Sequence, residues 1–493
     1  MRTPFLPCAA LLCAACTMIP RTTPPTQAVP LTWHDSAGGR ATAAVPETPW
    51  WTAFPDTTLR GLIRAALARN TELRGAAENV SVADAYLRAS RALLLPTLSA
   101  SASASTGGSR SESKLSPSTY AAGVSRSTYD RYGVGADVWW DADLFGAQRS
   151  AIAAARAQLR ATEEGRRAVS LAVVAAVADG YAGLRETDRL RAVLERALAD
   201  RLRVLDVAQR RAGSGAAGDL DVVRARAEAE AIRRDLVDVA ESAVHGENAL
   251  SLLTGRAPGA IPRPAAEDEK PLAVSVPPSL PASLLQRRPD VRAAEQDLAG
   301  SAAFVGQMRA ELLPNLTISA NAGLSRNVSR NPSAGLDSLG RPTTMRVTND
   351  SRGWTVGASL SQVLFAGGRN VANLHAAEAS SRRVAIAYEA TVLRALAEAE
   401  DAMASVRFAA RRRTSLDSLV ALTRSALQLA EGRYERGEAP LLDVLFAQSA
   451  LLSAETGAVY AWYQQVAAVT GLYRALGGGW QAEETATEPA AGR

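Results

Sequence analysis

The chain has 493 residues, 21% charged and only 5% aromatic, with a formal net charge of +5. That length holds more than one compact unit. The Arg residues alternate with Asp and Glu along helix-like stretches and never gather into a dense basic run with interleaved aromatics, which argues against a nucleic-acid partner. All three cysteines, Cys8, Cys13 and Cys16, lie at the N-terminus, and His34, His245 and His375 are far apart. Neither a disulfide framework nor a Cys/His metal site is expected in the body of the chain.

Residues 1–15 read as an export signal. Met1-Arg2 gives a short charged start, and Phe5 to Ala15 is apolar but too short to span a membrane as a helix. The stretch ends in Leu12-Cys13-Ala14-Ala15-Cys16. Two small residues before a Cys resemble a bacterial lipobox, although Cys13 stands where a Leu-type residue is more usual. Cys16 is then the lipidated first residue of the mature chain, followed by a linker over 16–49. That covalent lipid is the one non-protein group expected, and no cofactor is. The alternative is plain cleavage at an A-x-A-like site. Thr17 in place of Asp after the Cys resembles lipoproteins sent to the outer membrane. Beyond this leader no run of about 20 apolar residues remains; the richest, Ala168 to Ala178, stops at Asp179. If the body crosses a membrane, it must do so as β-strands.

The chain is one design written twice, over 50–288 and 289–480. Leu94-Leu95-Pro96-Thr97-Leu98 matches Leu312-Leu313-Pro314-Asn315-Leu316 at an offset of 218, and Leu144-Phe145-Gly146 matches Leu364-Phe365-Ala366 at 220. Arg211-x3-Gly215-x4-Leu220-Asp221-Val222 matches Arg433-x3-Gly437-x4-Leu442-Asp443-Val444 at 222. Leu250 and Gly255 match Leu472 and Gly477 at the same offset.

In each half a first helix leads into two runs of period two. Leu98, Ala100, Ala102 and Ala104 alternate with serines, and Tyr132, Val134, Ala136, Val138 and Trp140 follow. In the second half Leu316, Ile318, Ala320, Ala322 and Leu324 alternate with polar residues, and Trp354, Val356, Ala358 and Leu360 complete the set. These patterns predict strands over about 97–105, 131–140, 315–325 and 353–362, each near the 9–11 residues of a tilted membrane strand. Two long polar loops are expected between them, roughly 106–130 and 326–352. Four strands are too few for a barrel of useful bore, and open edges cannot face lipid. Other copies must supply strands, and three copies give an even twelve.

Long helices follow over 147–213 and 368–436, each about 100 Å in rise. Their apolar residues recur at three- and four-residue steps, as in Leu190, Leu194, Leu198, Leu202 and Leu205. Gly213-Ser214-Gly215 and Gly437-Glu438-Ala439-Pro440 then break the chain. Helices return over 219–254 and 441–476, with a linker over 256–280 and a flexible tail over 481–493. Helices of this length suit a coiled-coil tube. Arg287-Arg288-Pro289-Asp290 opens the second repeat, with Pro preorganised for a first helical turn and Asp290 favourable to the dipole. Trp139 and Trp140 fit an interfacial aromatic belt or burial against the helix top.

Several motifs now fall in order. Trp139-Trp140-Asp141-x-Asp143-Leu144-Phe145-Gly146, Arg287-Arg288-Pro289-Asp290-Val291-x3-Glu295, Arg433-Tyr434-x2-Gly437-x5-Asp443-Val444-Leu445 and Leu472-Tyr473-Arg474-Ala475-Leu476-Gly477-Gly478-Gly479-Trp480 together resemble the outer-membrane factor family, of the TolC and OprM kind and its NodT-type lipoprotein branch. The resemblance covers about Trp50 to Trp480. It implies a mainly α chain with membrane β: a homotrimeric twelve-stranded β-barrel, four strands per chain, on a long α-helical coiled-coil periplasmic tunnel. It implies a passive outer-membrane exit duct of a tripartite efflux or secretion system. The partners implied are a periplasmic adaptor, an inner-membrane transporter of the resistance-nodulation-division type and outer-membrane lipid.

The family also implies a gate at the helical turns. Asp443 matches an acidic ring at the closed end, Asp221 is its repeat counterpart, and Tyr434 matches a residue that latches neighbouring helices. The chain departs from that latch: a basic partner of some relatives falls near Ala439, and a second acidic position falls at Phe446. Phe446 then serves as an apolar constriction. The plainer reading of both aspartates is a helix N-terminal acid. Gly213, Gly215, Gly437 and Pro440 mark the tips that meet the adaptor. No G-x-S-x-G elbow, H-E-x-x-H helix or clustered His/carboxylate set is present, and no enzyme is expected. The alternatives are a type I-like duct for peptides or polymers, and a periplasmic coiled-coil scaffold without a pore.

Overall fold

The computed structural model describes residues 51, 56–112, 124–264, 287–336, 338–339 and 341–478. The export signal, Cys16, the 16–49 linker, most of the 256–280 linker and the 481–493 tail lie outside the described residues. In chain order the elements are α1 (Thr57–Arg69), α2 (Thr71–Ala92), β1 (Thr97–Glu112), β2 (Val124–Ala142), α3 (Ala147–Gly213) and α4 (Asp219–Leu253). The second half repeats them as α5 (Pro289–Ala310), β3 (Asn315–Leu336), β4 (Pro342–Ser361), α6 (Arg369–Glu435) and α7 (Leu441–Ala475). The chain divides into two compact units.

One unit holds the strands, with Asp84–Ala157 and Ala299–Arg383. The strands form one antiparallel sheet in the order β1-β2-β3-β4. Register places Ala102, Val134 and Leu324 in one row with Arg352, and Leu98, Val138, Ala320 and Val356 in another. Because side chains alternate across a strand, every even-numbered residue of this ladder shares one face. That face carries the apolar stripe, and no protein covers it among the described residues: Leu98, Trp354 and Leu360 are 73%, 77% and 65% exposed. The opposite face is polar, with Ser101, Asp137, Asn321 and Thr355.

The strands run much further than the predicted 97–105, 131–140, 315–325 and 353–362. Most of the expected loops at 106–130 and 326–352 is ladder. The apolar stripe that marked the strands ends there, but the hydrogen bonding does not. Polar rungs take over across the strands: Thr106 Oγ1 donates to Asp130 Oδ1 at 2.9 Å, Ser109 pairs with Ser127 at 2.8 Å, and Ser325 pairs with Ser351 at 2.7 Å. Period-two hydrophobicity disappears when both faces are wet, so these residues read as loop. The two tryptophans part company: Trp140 shares the apolar face and its indole N–H donates to Leu94 O at 3.0 Å, whereas Trp139 sits exposed on the polar face.

The second unit holds Gln158–Leu298 and the chain from Val384 on. Ile63, Val174, Val177, Leu250, Trp462 and Val466 belong to its largest core cluster. Full burial of each aliphatic side chain is worth about 1.5–3 kcal/mol. The apolar run Ala168–Ala178 is part of this core, with Val173, Val174 and Val177 buried. Its composition is explained by protein packing.

The internal repeat is visible atom by atom in this unit. All four long helices end in the same left-handed turn. Ala216 N–H donates to Arg211 O at 2.8 Å and Gly215 N–H to Ala212 O at 3.0 Å; Glu438 and Gly437 repeat this on Arg433 and Tyr434 at 2.8 and 2.9 Å. Arg256 and Gly255 close α4, and Gly478 and Gly477 close α7, in the same way. Gly215, Gly255, Gly437 and Gly477 have φ of +74°, +65°, +77° and +66°.

The closed ends of α4 and α7 are capped by equivalent residues. Asn70 Nδ2 donates to Leu253 O at 2.8 Å, and Arg288 Nη1 donates to Ala475 O at 2.9 Å. Arg288 also reaches Asp290 Oδ2 at 2.7 Å and Glu398 Oε2 at 2.6 Å. The Arg-Arg-Pro-Asp block is thus a structural cap that ties the start of α5 to α6 and to the end of α7.

Candidate gate at the helical turns

Two helical hairpins, α3–α4 and α6–α7, present their turns within the second unit. Gly213 is the last residue of α3, and Gly215 makes the left-handed turn toward α4. Gly437 makes the matching turn after α6, and Pro440 is the N-cap of α7 with φ −74° and ψ 157°. Pro suits this place because its fixed φ fits and its missing N–H is one the helix start leaves unpaired.

Tyr434 is the centre of the site. Its ring is buried, only 4% exposed, in a cluster with Val204, Ala208, Ala225, Leu441 and Val444. The Arg211 guanidinium lies over it at 4.7 Å from the ring centroid, and Arg211 Nη1 donates to the Tyr434 carbonyl at 2.5 Å. One side chain therefore fastens the end of α3 to the end of α6 by two contacts, a cation–π contact and a charge-assisted hydrogen bond. Burial pushes the Tyr434 phenol up; Arg211 opposes this and Asp221 reinforces it. The ring stays a neutral phenol at physiological pH. Its hydroxyl has no hydrogen-bond partner in the single chain.

Asp221, half-buried in the first turn of α4, belongs to this group through its field on Tyr434. Asp443 does not. The face of α7 that carries Leu441, Val444 and Leu445 is buried, which leaves Asp443 and Phe446, three residues apart, together on the opposite exposed face. Phe446 is 66% exposed. The structure thus sorts the four predicted gate residues into a buried pair, Tyr434 and Asp221, and an exposed pair, Asp443 and Phe446. Both aspartates sit in first turns, where a negative charge favours the helix.

Sequence reasoning assigned no role to Arg211. The signal was present: it opens the repeated Arg-x3-Gly motif, and its counterpart Arg433 precedes the tyrosine. A second missed residue is Arg201, buried in α3. It donates to Gln448 Oε1 at 2.8 Å and Ser449 Oγ at 3.1 Å, and pairs with Glu228 at 3.3 Å. Burial holds its guanidinium below the ordinary value, with Glu228 and Asp200 opposing. It binds α3 to α4 and α7, at the wall of a cavity of about 490 Å³ that Glu431 and Arg424 also line. Among the described residues no cluster of His, Cys, Asp and Glu is arranged to hold a metal ion.

An open four-stranded sheet with an uncovered apolar face, joined to two helical hairpins, matches known proteins closely. The profile of the family described as outer membrane efflux protein matches residues 62–256 and 280–478. The chain is 33% identical over 487 residues to the outer membrane protein OprJ of Pseudomonas aeruginosa, covering 97% of each. It is 31% identical to the solvent efflux pump outer membrane protein SrpC of Pseudomonas putida, covering 97% of this chain and 98% of that one. The solved structure of the outer-membrane channel OprN superposes with a TM-score of 0.80 at 28% identity, covering 94% of this chain and 99% of that one. This chain belongs to the outer membrane efflux protein family, the outer-membrane channels in which three four-stranded sheets close one twelve-stranded barrel above a helical periplasmic tunnel.

Proposed function

We propose that the chain is the exit duct of a tripartite efflux system and that its resting closure is set at the two turns. The observation that carries this reading is the Arg211 clasp, which fastens one hairpin to the other at the tip. Asp443 and Phe446 are assigned to the pore constriction, as a ring of carboxylates backed by a ring of aromatics in the trimer. Leu220, Val223 and Leu442, exposed at the same tips, are assigned to contact with a periplasmic adaptor, beside Gly213, Gly215, Gly437 and Pro440. The transporter is assigned to the resistance-nodulation-division type, and Cys16 to lipidation. No covalent chemistry is assigned to the chain: it supplies a path, and the inner-membrane partner supplies the energy.

Opening requires the α6–α7 hairpin to move against α3–α4, and the clasp opposes that movement. Removing it by Arg211→Ala takes away a cation–π contact of about 0.5–2 kcal/mol and a charged hydrogen bond of about 1.5–3 kcal/mol. The expected result is a shift of at least about tenfold toward open channels. It is read as longer open times in planar bilayers and as greater sensitivity of cells to a bulky antibiotic that the outer membrane normally excludes. Unchanged gating in a variant that reaches wild-type trimer levels would remove Arg211 from the closure.

A further inference from the structure

The extended ends of the strands carry a feature that the duct does not use. Seven arginines lie in β1 to β4, and six of them, Arg110, Arg126, Arg326, Arg330, Arg346 and Arg352, are even-numbered and share the apolar face. Only Arg131 is on the polar face. The six begin where the apolar stripe stops, at the row of Leu324 and Arg352, and continue toward the hairpin ends. From that row to the row of Arg110 the same face carries two acids, Asp130 and Asp350. Arg326 pairs with Asp350 at 2.7 Å and Arg330 with Asp130 at 2.8 Å. Four positive charges per chain remain in excess, and the trimer repeats them three times around the barrel.

The register makes this excess more than a wet surface. Arg330 stands directly opposite Arg346, and Arg110 directly opposite Arg126. Like charges in directly opposed cross-strand positions are destabilising, and an anion between them reverses the sign. A planar guanidinium fork matches phosphate oxygens two at a time. The apolar stripe faces lipid, so this band lies at the headgroup level on the side of the hairpins, away from the strand ends that run into the helices. That side of an outer membrane is built of phosphorylated glycolipid.

We infer that the outward arginine band is a docking surface for the phosphate groups of the outer-leaflet glycolipid, with the opposed pairs Arg330–Arg346 and Arg110–Arg126 as its forks. The bound anion converts two repulsive rungs into bridged ones, so the lipid stabilises the barrel that it surrounds.

The test uses the full-length trimer purified in detergent, titrated with bis-phosphorylated lipid A and followed by native mass spectrometry and by trimer melting. Wild type is expected to retain lipid A and to melt higher with it, and monophosphorylated lipid A or phosphatidylethanolamine is expected to bind more weakly. Arg346→Gln with Arg352→Gln should weaken lipid A binding about tenfold or more and abolish the rise in melting temperature. Arg131→Gln, on the other face, should change neither. Arg346→Lys with Arg352→Lys keeps the charge and should retain most of the binding, which separates loss of docking from failure to assemble. Equal binding by wild type and the Gln variant, or equal weakening by Arg131→Gln, would overturn the assignment.

Discussion

Gly255→Ala is expected to destabilise the trimer by about 3 kcal/mol or more, whereas Gly215→Ala should cost only about 1–2 kcal/mol. Both glycines hold a left-handed conformation, φ +65° and +74°, and each L side chain there meets the same local penalty. They differ in their surroundings. A Cβ on Gly255 would come to 2.4 Å from the Arg69 carbonyl oxygen, a backbone atom that cannot swing away, while nothing lies within 4 Å of one on Gly215. The extra cost at Gly255 is therefore displacement of the chain just after α1, beside Asn70 and its bond to Leu253. Thermal melting of the purified trimers compares the two. Equal losses would show that the turn conformation alone decides, and that the contact with Arg69 yields easily.

Arg288→Ala should cost about 3 kcal/mol, near the low end for breaking a buried ion pair. Arg288 is buried, with its side chain 8% exposed, but its partners Asp290 and Glu398 are about half exposed, and water partly replaces what they lose. The Ala475 carbonyl, bonded to Arg288 at 2.9 Å, loses its cap. Arg288→Lys should rescue little, because one ammonium cannot serve three acceptors in the geometry of a guanidinium. Burial alone would push the Asp290 carboxyl up, but the bonds from Arg288 outweigh it and hold it below the ordinary carboxylate value. Its folded value lies below its unfolded one, so this contribution is present above the ordinary carboxylate range, about pH 4, and is lost as pH falls through the folded value. Wild type should lose stability on that acid limb, and Arg288→Ala should lose less there. An unchanged acid limb in Arg288→Ala would mean that other carboxylates dominate it.

The parts of the fold that were legible are those where one physical signal is strong and local. Proline-free, Ala-rich stretches gave the helices now seen at Ala147–Gly213 and Arg369–Glu435. The repeat announced paired turns, and the Gly residues at positive φ stand on its motif positions. The strands were legible only where one face meets an apolar medium. From Thr106 and from Arg326 onward both faces are polar, and the ladder leaves no hydrophobic period in the sequence. The arginine band was hidden for the same reason: spacing of two matters only once those residues are known to be strand.

The site was half legible. Tyr434, Asp221, Asp443 and Phe446 came from motif spacing, which places residues along a helix but not around it. Only packing shows that Tyr434 points inward while Asp443 and Phe446 point outward. Arg211 was missed because its partner lies 223 positions away in sequence, and a cation–π contact leaves no local pattern.

Single-channel recording of the purified trimer in planar bilayers tests the central claim most directly, with wild type compared with Asp443→Asn and divalent cations varied. The account predicts small, cation-preferring currents in wild type, partly blocked by divalent cations. In Asp443→Asn the preference should fall several-fold and the block should be relieved, since a ring of three carboxylates then carries no charge. A correctly assembled wild-type trimer that conducts no ions under any of these conditions, with the clasp removed as well as intact, would contradict it.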